Sequence, residues 1–286
     1  MILAPLRGVT IRCFRETFAD EIRAAGFTEA VTPFIAAIAG FDPLKDRELL
    51  KPPSTSASFL HLTPQFIGKD PEALRVCLEK IKAAGYDTAD LNCGCPFPMV
   101  RNKGRGSGIL RTPEVLRRML EVGCDVMGAG KFSIKARLGV DRGDELLNLM
   151  PLINEFPLRF ITVHARTARQ MYEGTCDWKA VEAIENSALV PVVRNGDLAC
   201  IGASEHPSIR PVMVGRSFIR RLGEGEDSGE LLRRYIDASC AELCGDRPVL
   251  GRMKELVSYW KELPRWKRRW DVIKICRSVD ELKAMI

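Results

Sequence analysis

The sequence predicts an α/β protein: a parallel (β/α)8 barrel of the TIM type followed by a small C-terminal bundle that is entirely helical. Eight short apolar runs recur in roughly the first 215 residues, and most of them are followed by a segment with helical periodicity. No strand-like run appears after residue 227. The chain has 286 residues, of which 46% are hydrophobic and 28% charged, so it has enough apolar material for a large core.

The eight runs are mostly continuous in hydrophobicity rather than alternating, which is typical of strands buried on both faces. They lie at residues 2–4, 29–32, 64–67, 88–92, 132–136, 160–164, 190–193 and 211–214. Helical periodicity is found at residues 13–25, 71–85, 113–122, 146–153 and 178–184. Pro71 stands at an expected first helical turn, where its missing N–H costs nothing. The second unit has the weakest helical signal of the series.

From residue 227 onward, apolar side chains recur only at helical spacing. Gly245, Pro248 and Pro264 are expected to divide this tail into three or four helices. We therefore predict two domains, a barrel over residues 1–225 and a helical domain over residues 226–286.

Composition excludes several classes of protein. No apolar run approaches the roughly 20 residues of a membrane helix, and the N-terminal residues lack the charged flank and apolar stretch of a signal peptide. The ten cysteines show no paired spacing of the kind found in disulfide-rich secreted domains. We expect a cytoplasmic monomer with reduced thiols and no membrane contact. The net charge of +6 permits a nucleic-acid partner without requiring one.

Polar residues stand where the predicted strands end, and the carboxyl ends of barrel strands are where active sites form. These residues are Gln65, Asn92, Lys135, Arg137, His164, Arg166, Thr167, Asn195, Asp197 and Arg216. A buried Lys135 or His164 is costly unless it is paired, so the ring as a whole indicates a polar or anionic ligand. The alternative is that neighbouring carboxylates satisfy each residue separately.

Two segments indicate a phosphate-bearing cofactor. Asn195-Gly196-Asp197 follows the seventh strand and Gly215-Arg216 follows the eighth, the position where barrels commonly bind phosphate. Glycine permits close approach of backbone N–H groups, and arginine supplies charge-assisted hydrogen bonds. The glycine-rich segment from Gly104 to Gly108 is interpreted as a mobile loop.

Cys95 is the main candidate for an acid, since it follows the fourth strand between Gly94 and Pro96 and a thiol is largely protonated at neutral pH. A nucleophile paired with a histidine is the other role open to it. Cys93 is expected to pack in the core. Cys93 and Cys95 are separated by one residue, whereas paired zinc ligands are usually separated by two, so no metal site is expected.

Several segments together resemble the tRNA-dihydrouridine synthase family. They are Ala4-Pro5-Leu6-Arg7-Gly8-Val9-Thr10, Leu91-Asn92-Cys93-Gly94-Cys95-Pro96 with the loop from Lys103 to Leu110, Lys135-Ala136-Arg137-Leu138-Gly139, His164-Ala165-Arg166-Thr167, Asn195-Gly196-Asp197 and Val214-Gly215-Arg216. Ala165 stands where the family usually has glycine and Leu6 where methionine is common, but neither difference removes a chemical group.

The resemblance implies an FMN-bound barrel that reduces the carbon 5–carbon 6 bond of a uridine in the D-loop of tRNA, with NADPH as reductant. Cys95 would protonate carbon 5 and Asn92 would orient the pyrimidine. The cofactor would contact Ala4, Pro5, Leu6, Gln65, Lys135, His164, Asn195, Gly196, Asp197, Gly215 and Arg216. The glycine-rich loop from Lys103 to Gly108 would act as a hinge for a lid over the base. We also expect Lys103, Arg137 and Arg166 to bind the RNA substrate.

The tail carries a local positive charge. Residues 247–277 contain ten Lys or Arg and three Asp or Glu, and Trp266 and Trp270 lie among Arg265, Lys267, Arg268 and Arg269. Cationic groups neutralise phosphates and aromatic rings stack on bases, so we predict RNA contact by Arg268 and Arg269. The alternative for the tryptophans is a place in the bundle core.

Three other functions remain open at this level. One is a dihydrouridine synthase that acts on ribosomal RNA. Another is an FMN barrel that acts on a free pyrimidine, as dihydroorotate and dihydropyrimidine dehydrogenases do. The third is an RNA-binding protein without catalysis.

Overall fold

The computed structural model describes residues 1–49, 57–198 and 211–286. Within these ranges no helix has both the length and the apolar character needed to cross a membrane. All the strand pairs are parallel, and they form one curled sheet in which β1 (Ile2–Leu3) pairs with β10 (Val212–Val214) on one side and β2 (Glu29–Val31) on the other. The remaining strands are β3 (Ile35–Ala36), β4 (His61–Thr63), β5 (Gln65–Ile67), β6 (Ala89–Cys93), β7 (Phe132–Gly139), β8 (Ile161–Thr167) and β9 (Val192–Asn195).

The predicted barrel is confirmed, with its second and third strands each interrupted once. β2 pairs with β4 and β3 pairs with β5, and Pro33 and Pro64 lie at the two interruptions. Proline has no N–H to donate to a sheet, and here the backbone N–H of Gln65 bonds instead to Thr32 Oγ1 at 3.0 Å. Counting each interrupted pair as one strand gives the eight strands expected.

The barrel helices follow the predicted segments except for the last one, Arg216–Glu224, which the sequence analysis did not predict. They are α1 (Arg12–Thr17), α2 (Ala19–Ala24), α3 (Pro71–Ala83), α5 (Pro113–Met127), α6 (Glu145–Ile153), α7 (Trp178–Ser187) and α8 (Arg216–Glu224). The single turn α4 (Pro98–Arg101) and a 3-10 helix (Gly106–Arg111) follow β6. In the second unit the described residues hold only a short 3-10 helix, Pro43–Lys45, which agrees with the weak helical signal there.

The tail forms four helices, α9 (Ser228–Glu242), α10 (Asp246–Ser258), α11 (Pro264–Ile273) and α12 (Val279–Ala284). Gly245 and Pro264 stand at helix starts, as expected. The break predicted at Pro248 is wrong: this proline lies in the first turn of α10, where its missing N–H would have had no intrahelical partner.

The tail shares a hydrophobic core with the first and last barrel units. Tyr235 of α9 packs against Phe14 and Phe18, with ring centroids 5.9 and 5.3 Å apart. The indole N–H of Trp260 donates to the carbonyl of Ile219 in α8 at 2.6 Å. This packing brings α10 to the carboxyl end of the barrel, where it contributes to the candidate site.

Candidate active site

A cavity of about 260 Å³ opens at the carboxyl ends of the barrel strands. Twelve of the residues selected from the sequence line it: Ala4, Pro5, Leu6, Asn92, Cys95, Lys135, Arg137, His164, Asn195, Gly196, Gly215 and Arg216. Seven do not: Gln65, Lys103, Arg166, Thr167, Asp197, Arg268 and Arg269. The cavity is therefore built from the ends of most of the strands, with backbone and side chains of several chain segments facing one space.

One side of this cavity is strongly cationic. Lys135 Nζ donates to Asn195 Oδ1 at 2.8 Å, and the Arg137 guanidinium donates to the carbonyls of Gly94 and Thr167 at 3.1 and 2.8 Å. These partners are neutral, so they leave the positive charge uncompensated. Withdrawal from water and the nearby Arg137 lower the pKa of Lys135 to about 7, and burial lowers the pKa of Arg137 to about 10. A bound anion would compensate this positive charge and favour the protonated form of Lys135.

His164 lies on the same side and carries an unpaired polar atom. Its Nε2 is buried and has no hydrogen-bond partner among the described residues. Burial, followed by the charges of Lys135 and Arg137, lowers its pKa, so the imidazole is neutral. A buried nitrogen of this kind is normally satisfied, so its orphan state indicates a ligand with a polar atom at this point.

The corner formed by Gly196, Gly215 and Arg216 is suited to a phosphate. A Cβ on Gly215 would lie 3.0 Å from Ala4 Cβ, and one on Gly196 would lie 2.7 Å from Cys176 Sγ. Both glycines therefore let a neighbouring chain segment pack closely against the backbone, Ala4 against Gly215 and Cys176 against Gly196, and a side chain would push these segments apart. Gly215 also precedes α8, a nine-residue helix whose first backbone N–H groups favour negative charge.

Asp197 and Arg166 lie behind this corner rather than on the cavity surface. Asp197 accepts from Arg216 at 2.8 Å and is ion-paired with Arg166, whose guanidinium also donates to the carbonyls of Glu173 and Gly174 at 3.1 and 2.6 Å. In this arrangement the two side chains bond to each other and to neighbouring groups, and the direct ligand contacts expected of them stay a prediction. Their bonds orient Arg216, which lines the cavity.

Cys95 lines the cavity with a side chain that is almost completely buried. Burial raises the pKa of its thiol, while the backbone N–H of Phe97 and the charges of Arg7 and Arg137 lower it in part. The net upward shift keeps the thiol protonated at neutral pH, as an acid requires. Cys93 is fully buried in the barrel core, where packing was expected to place it.

The side-chain amides of Asn92 and Gln65 are hydrogen-bonded to each other. Asn92 Oδ1 accepts from the backbone N–H groups of Gly94 and Cys95 at 3.1 and 2.8 Å, and its Nδ2 donates to Gln65 Oε1 at 2.8 Å. Gln65 is fully buried beneath the cavity, and its Nε2 donates to Asp90 at 2.7 Å. Gln65 therefore does not line the cavity, because neighbouring side chains use its amide, and the cofactor contact expected of it stays a prediction.

The glycine-rich segment is not a free loop. Gly106, Ser107 and Gly108 are buried in a 3-10 helix, and Ser107 donates to the carbonyl of Cys95 through its backbone N–H at 3.1 Å and its hydroxyl at 2.9 Å. The interpretation as a hinge for a lid is wrong for these three residues. Lys103, in the preceding turn, is exposed and away from the cavity.

Several lining residues were not found from the sequence. Tyr172 lies between two guanidinium groups, 5.2 Å from Arg137 and 4.8 Å from Arg216, and α10 adds Glu255 and Tyr259. The remaining ones are Pro33, Phe34 and Phe97, together with Arg7, Gly94 and Pro96, which lie in the segments of the family resemblance but were given no role there. Arg7 could have been found from its position next to Ala4-Pro5-Leu6, but no pattern marks the α10 residues as neighbours of the barrel.

The basic surface of α11 is separate from this cavity. Trp266 is fully buried and donates to the carbonyl of Gly223 at 3.0 Å, so it belongs to the core rather than to a base-stacking surface. Arg268 is exposed, whereas Arg269 lies over the Trp266 ring at 5.5 Å. Across the described ranges no group of three or more His, Cys, Asp or Glu side chains is arranged to hold a metal ion.

Comparison with known proteins gives a consistent family. A family model described as "Dihydrouridine synthase (Dus)" matches residues 2–221. The tRNA-dihydrouridine(16) synthase of Salmonella typhimurium is 28% identical over 233 residues, which are 76% of this chain and 72% of that protein. The enzyme of the same name from Neisseria meningitidis serogroup B is 23% identical, over 100% of this chain and 93% of its own.

Solved structures show a related fold at low sequence identity. The old yellow enzyme homologue of Zymomonas mobilis has a TM-score of 0.55 at 11% identity and covers 77% of this chain and 85% of its own. Morphinone reductase in complex with tetrahydroNAD has a TM-score of 0.51 at 11% identity, covering 77% and 83%. These similarities concern the barrel architecture alone.

Proposed function

The chain belongs to the dihydrouridine synthase family, and from that premise we propose that it reduces a uridine in the D-loop of tRNA to 5,6-dihydrouridine, with FMN as cofactor and NADPH as reductant. The relatives named tRNA-dihydrouridine(16) synthase support tRNA rather than ribosomal RNA as the substrate. The observation that carries the proposal is that a protonated, buried thiol and a cationic side with an unpaired histidine nitrogen face the same cavity.

The residues of the cavity fit FMN in their chemistry. Gly196, Gly215 and Arg216 would hold its phosphate, since two residues without a side chain line the cavity beside a cation that Asp197 orients. Lys135 and His164 would contact the acceptor-rich side of the ring system, and the His164 Nε2 would gain the partner it lacks among the described residues. The backbone of Ala4, Pro5 and Leu6 lies across the same cavity. When bound, FMN would supply the hydride that carbon 6 of the uracil accepts, after reduction by NADPH.

Cys95 would complete the reduction by giving its proton to carbon 5, so that carbon 6 gains a hydride and carbon 5 a proton. The transfer leaves a thiolate in place of the thiol. Arg7 and Arg137 lower the pKa of Cys95, which means that their charges stabilise this thiolate. Solvent protons then restore the thiol for the next turnover.

The target base has to leave its stack to enter the cavity, which costs a few kcal/mol and less in a loop than in a helix. The exposed cations of α11 would bind RNA phosphates outside the cavity and hold the loop near it. Of the three residues Lys103, Arg137 and Arg166, Arg137 lines the cavity and would contact the entering nucleotide there. Arg166 and Lys103 do not line it, so base contacts are not proposed for them.

The test is a comparison of substrates with the reduced protein. We expect dihydrouridine to form in an unmodified tRNA transcript with consumption of NADPH, and no turnover of free uridine, free orotate or a ribosomal RNA fragment. Faster turnover of orotate would favour a free-pyrimidine dehydrogenase, and product in the ribosomal fragment alone would change the substrate. A purified protein that is colourless and binds no FMN would favour an RNA-binding protein without catalysis.

A further inference from the structure

Four buried polar side chains form a continuous hydrogen-bonded chain that ends at Cys95. Ser133 Oγ donates to Asp90 Oδ1 at 2.6 Å, and Gln65 Nε2 donates to Asp90 Oδ2 at 2.7 Å. Asn92 Nδ2 then donates to Gln65 Oε1 at 2.8 Å. At the far end the backbone N–H of Cys95 donates to Asn92 Oδ1 at 2.8 Å. We call this arrangement the Asp90 chain.

The register of the barrel brings these residues together. Asp90 is the direct partner of Gln65 on β5 and of Ser133 on β7, so one residue of β6 meets polar side chains on both neighbouring strands. Asn92 is two positions further along β6, and alternate residues of a strand point to the same face. The spacing Asp90–Asn92 therefore places one end of the chain deep in the barrel and the other at the cavity.

The hydrogen bonds of the Asp90 chain run in one donor-to-acceptor direction, and Asp90 determines that direction. An ionised carboxylate can only accept hydrogen bonds, so Gln65 must turn its NH2 group toward Asp90 and its carbonyl oxygen toward Asn92. That oxygen requires the NH2 group of Asn92, and the Asn92 oxygen is left facing the N–H groups of Gly94 and Cys95. With a donor in place of the carboxylate, Gln65 could turn over and Asn92 would present NH2 to those two N–H donors.

We propose that Asp90 is a positioning residue that holds the turn of Cys95 in its reactive geometry, acting through Gln65 and Asn92. The effect on catalysis rests on the proposed function, whereas the effect on the turn does not. Asp90 touches neither the cavity nor the reacting atoms, since it is fully buried below Gln65. Its contribution is to the orientation of two amide groups, and a misplacement of a reacting group by one ångström can reduce turnover by about 100-fold.

A charge exchange between Asp90 and Gln65 tests the direction of the chain. Asp90→Asn and Gln65→Glu each weaken it, because the first removes the charge that enforces the orientation of Gln65 and the second places two carboxylates side by side. The double variant D90N/Q65E restores it: the new amide at 90 donates to the new carboxylate at 65, which still accepts from Asn92. A role confined to general packing gives no reason for the double variant to recover, because contacting residues that only pack couple without a set sign.

The first measurement is the rate at which iodoacetamide alkylates Cys95, followed by mass spectrometry. Cys93 lies in the same proteolytic peptide and is fully buried, so it reports global unfolding in each sample. Thr88→Val is the matched control, because Thr88 is a buried polar residue of the barrel bonded to Thr63 at 3.0 Å and is outside the Asp90 chain. We expect each single variant to accelerate alkylation of Cys95 about threefold without alkylation of Cys93, and the double variant to return to the original rate.

The second measurement is turnover with tRNA. We expect kcat to fall about tenfold or more in the single variants with KM for tRNA unchanged, and to recover in the double variant. If Asp90→Asn reduces folding, Gln65→Met, which is close in volume and cannot hydrogen-bond as an amide does, interrupts the same chain. Unchanged alkylation in the single variants, or no recovery in the double variant, overturns the proposal. Absence of uridine reduction in the unaltered protein would contradict the proposed function alone, because alkylation is read without RNA.

Discussion

The backbone of Gly106 packs directly against Cys95. A Cβ atom on Gly106 would lie 2.7 Å from the Cβ of Cys95 and 2.9 Å from its carbonyl oxygen, closer than such atoms approach in proteins. Gly106 also has φ +57, in the left-handed region that favours glycine. The glycine-rich segment is therefore a support for the thiol, and its glycines serve close packing.

We expect Gly106→Ala to lower the free energy of unfolding by about 2 kcal/mol and to reduce dihydrouridine formation about tenfold. The new methyl group can be accommodated only if the Cys95 turn moves. The measurements are denaturant unfolding and product formation with tRNA. Gly85→Ala is the matched control, since Gly85 has φ +93 with no atom within 4 Å of an added Cβ. The Gly85→Ala variant should lose about 1 kcal/mol of unfolding free energy and keep its activity. If Gly106→Ala is as active as Gly85→Ala, the close contact between Gly106 and Cys95 does not matter for turnover.

The protonation state of Cys95 gives a second prediction. The thiol is the active form of an acid, and burial raises its pKa above the usual value near 8.5, so kcat/KM should stay level through neutral pH. Activity is then lost as the pH rises through the raised pKa. Cys95→Ala should retain FMN and oxidise NADPH while forming dihydrouridine at least about 100-fold more slowly. Full product formation by Cys95→Ala, or a decline that begins well below pH 8.5, would remove the acid role.

Lys135 should take up a proton when an anionic cofactor binds. Its pKa in the free site is about 7, so at pH 8 most molecules hold a neutral amine, and a bound anion raises the pKa by favouring the charged form. FMN binding at pH 8 is thus expected to consume close to one proton, and binding at pH 6 much less. Calorimetry in two buffers of different ionisation enthalpy measures this number.

Two variants separate that effect from binding in general. Lys135→Met should abolish the proton uptake at pH 8, whereas Arg216→Met should weaken binding and leave the uptake in place. His164 contributes little to the uptake because its pKa is lowered and its ring is neutral across this range. Equal proton uptake by Lys135→Met and the unaltered protein would show that another group titrates.

The sequence was sufficient for the barrel because its strands are buried on both faces. β10 and the first three residues of β8 are buried runs without a charged residue, and such runs stand out in a sequence without any alignment. Residues at or near the ends of the predicted strands, including Lys135 and His164, could be assigned to one rim because all parallel strands end at the same side. The interruptions at Pro33 and Pro64 could not be foreseen, because a proline shows where an N–H is missing but not what replaces it.

Side-chain direction was the main quantity that the sequence did not specify. Asp197 follows β9 at the expected rim and Gln65 begins β5, yet neither lines the cavity, because neighbouring polar groups bind both side chains. Glu255 and Tyr259 reach the cavity only because α10 packs against the barrel, and Tyr172 lies five residues beyond β8. The role of a glycine was also ambiguous in the sequence. A residue such as Gly106 is found both in flexible loops and in closely packed segments, and only its neighbours in the structure distinguish the two.

The charge of α11 gives the last prediction. Arg268 is exposed on this helix, whereas Arg269 lies over Trp266, so a change at Arg269 affects packing as well as charge. Arg268→Glu should weaken tRNA binding and flatten the dependence of log K on log salt by about one unit for each phosphate that is no longer neutralised. Adding the reversal at Arg269 should extend both effects. Arg118→Glu, the same change on an exposed residue of α5, is the control for net charge. If Arg118→Glu weakens tRNA binding as much as Arg268→Glu does, the effect comes from overall charge and α11 is not the docking surface. If only the α11 variants lose affinity and salt dependence, RNA phosphates contact that helix.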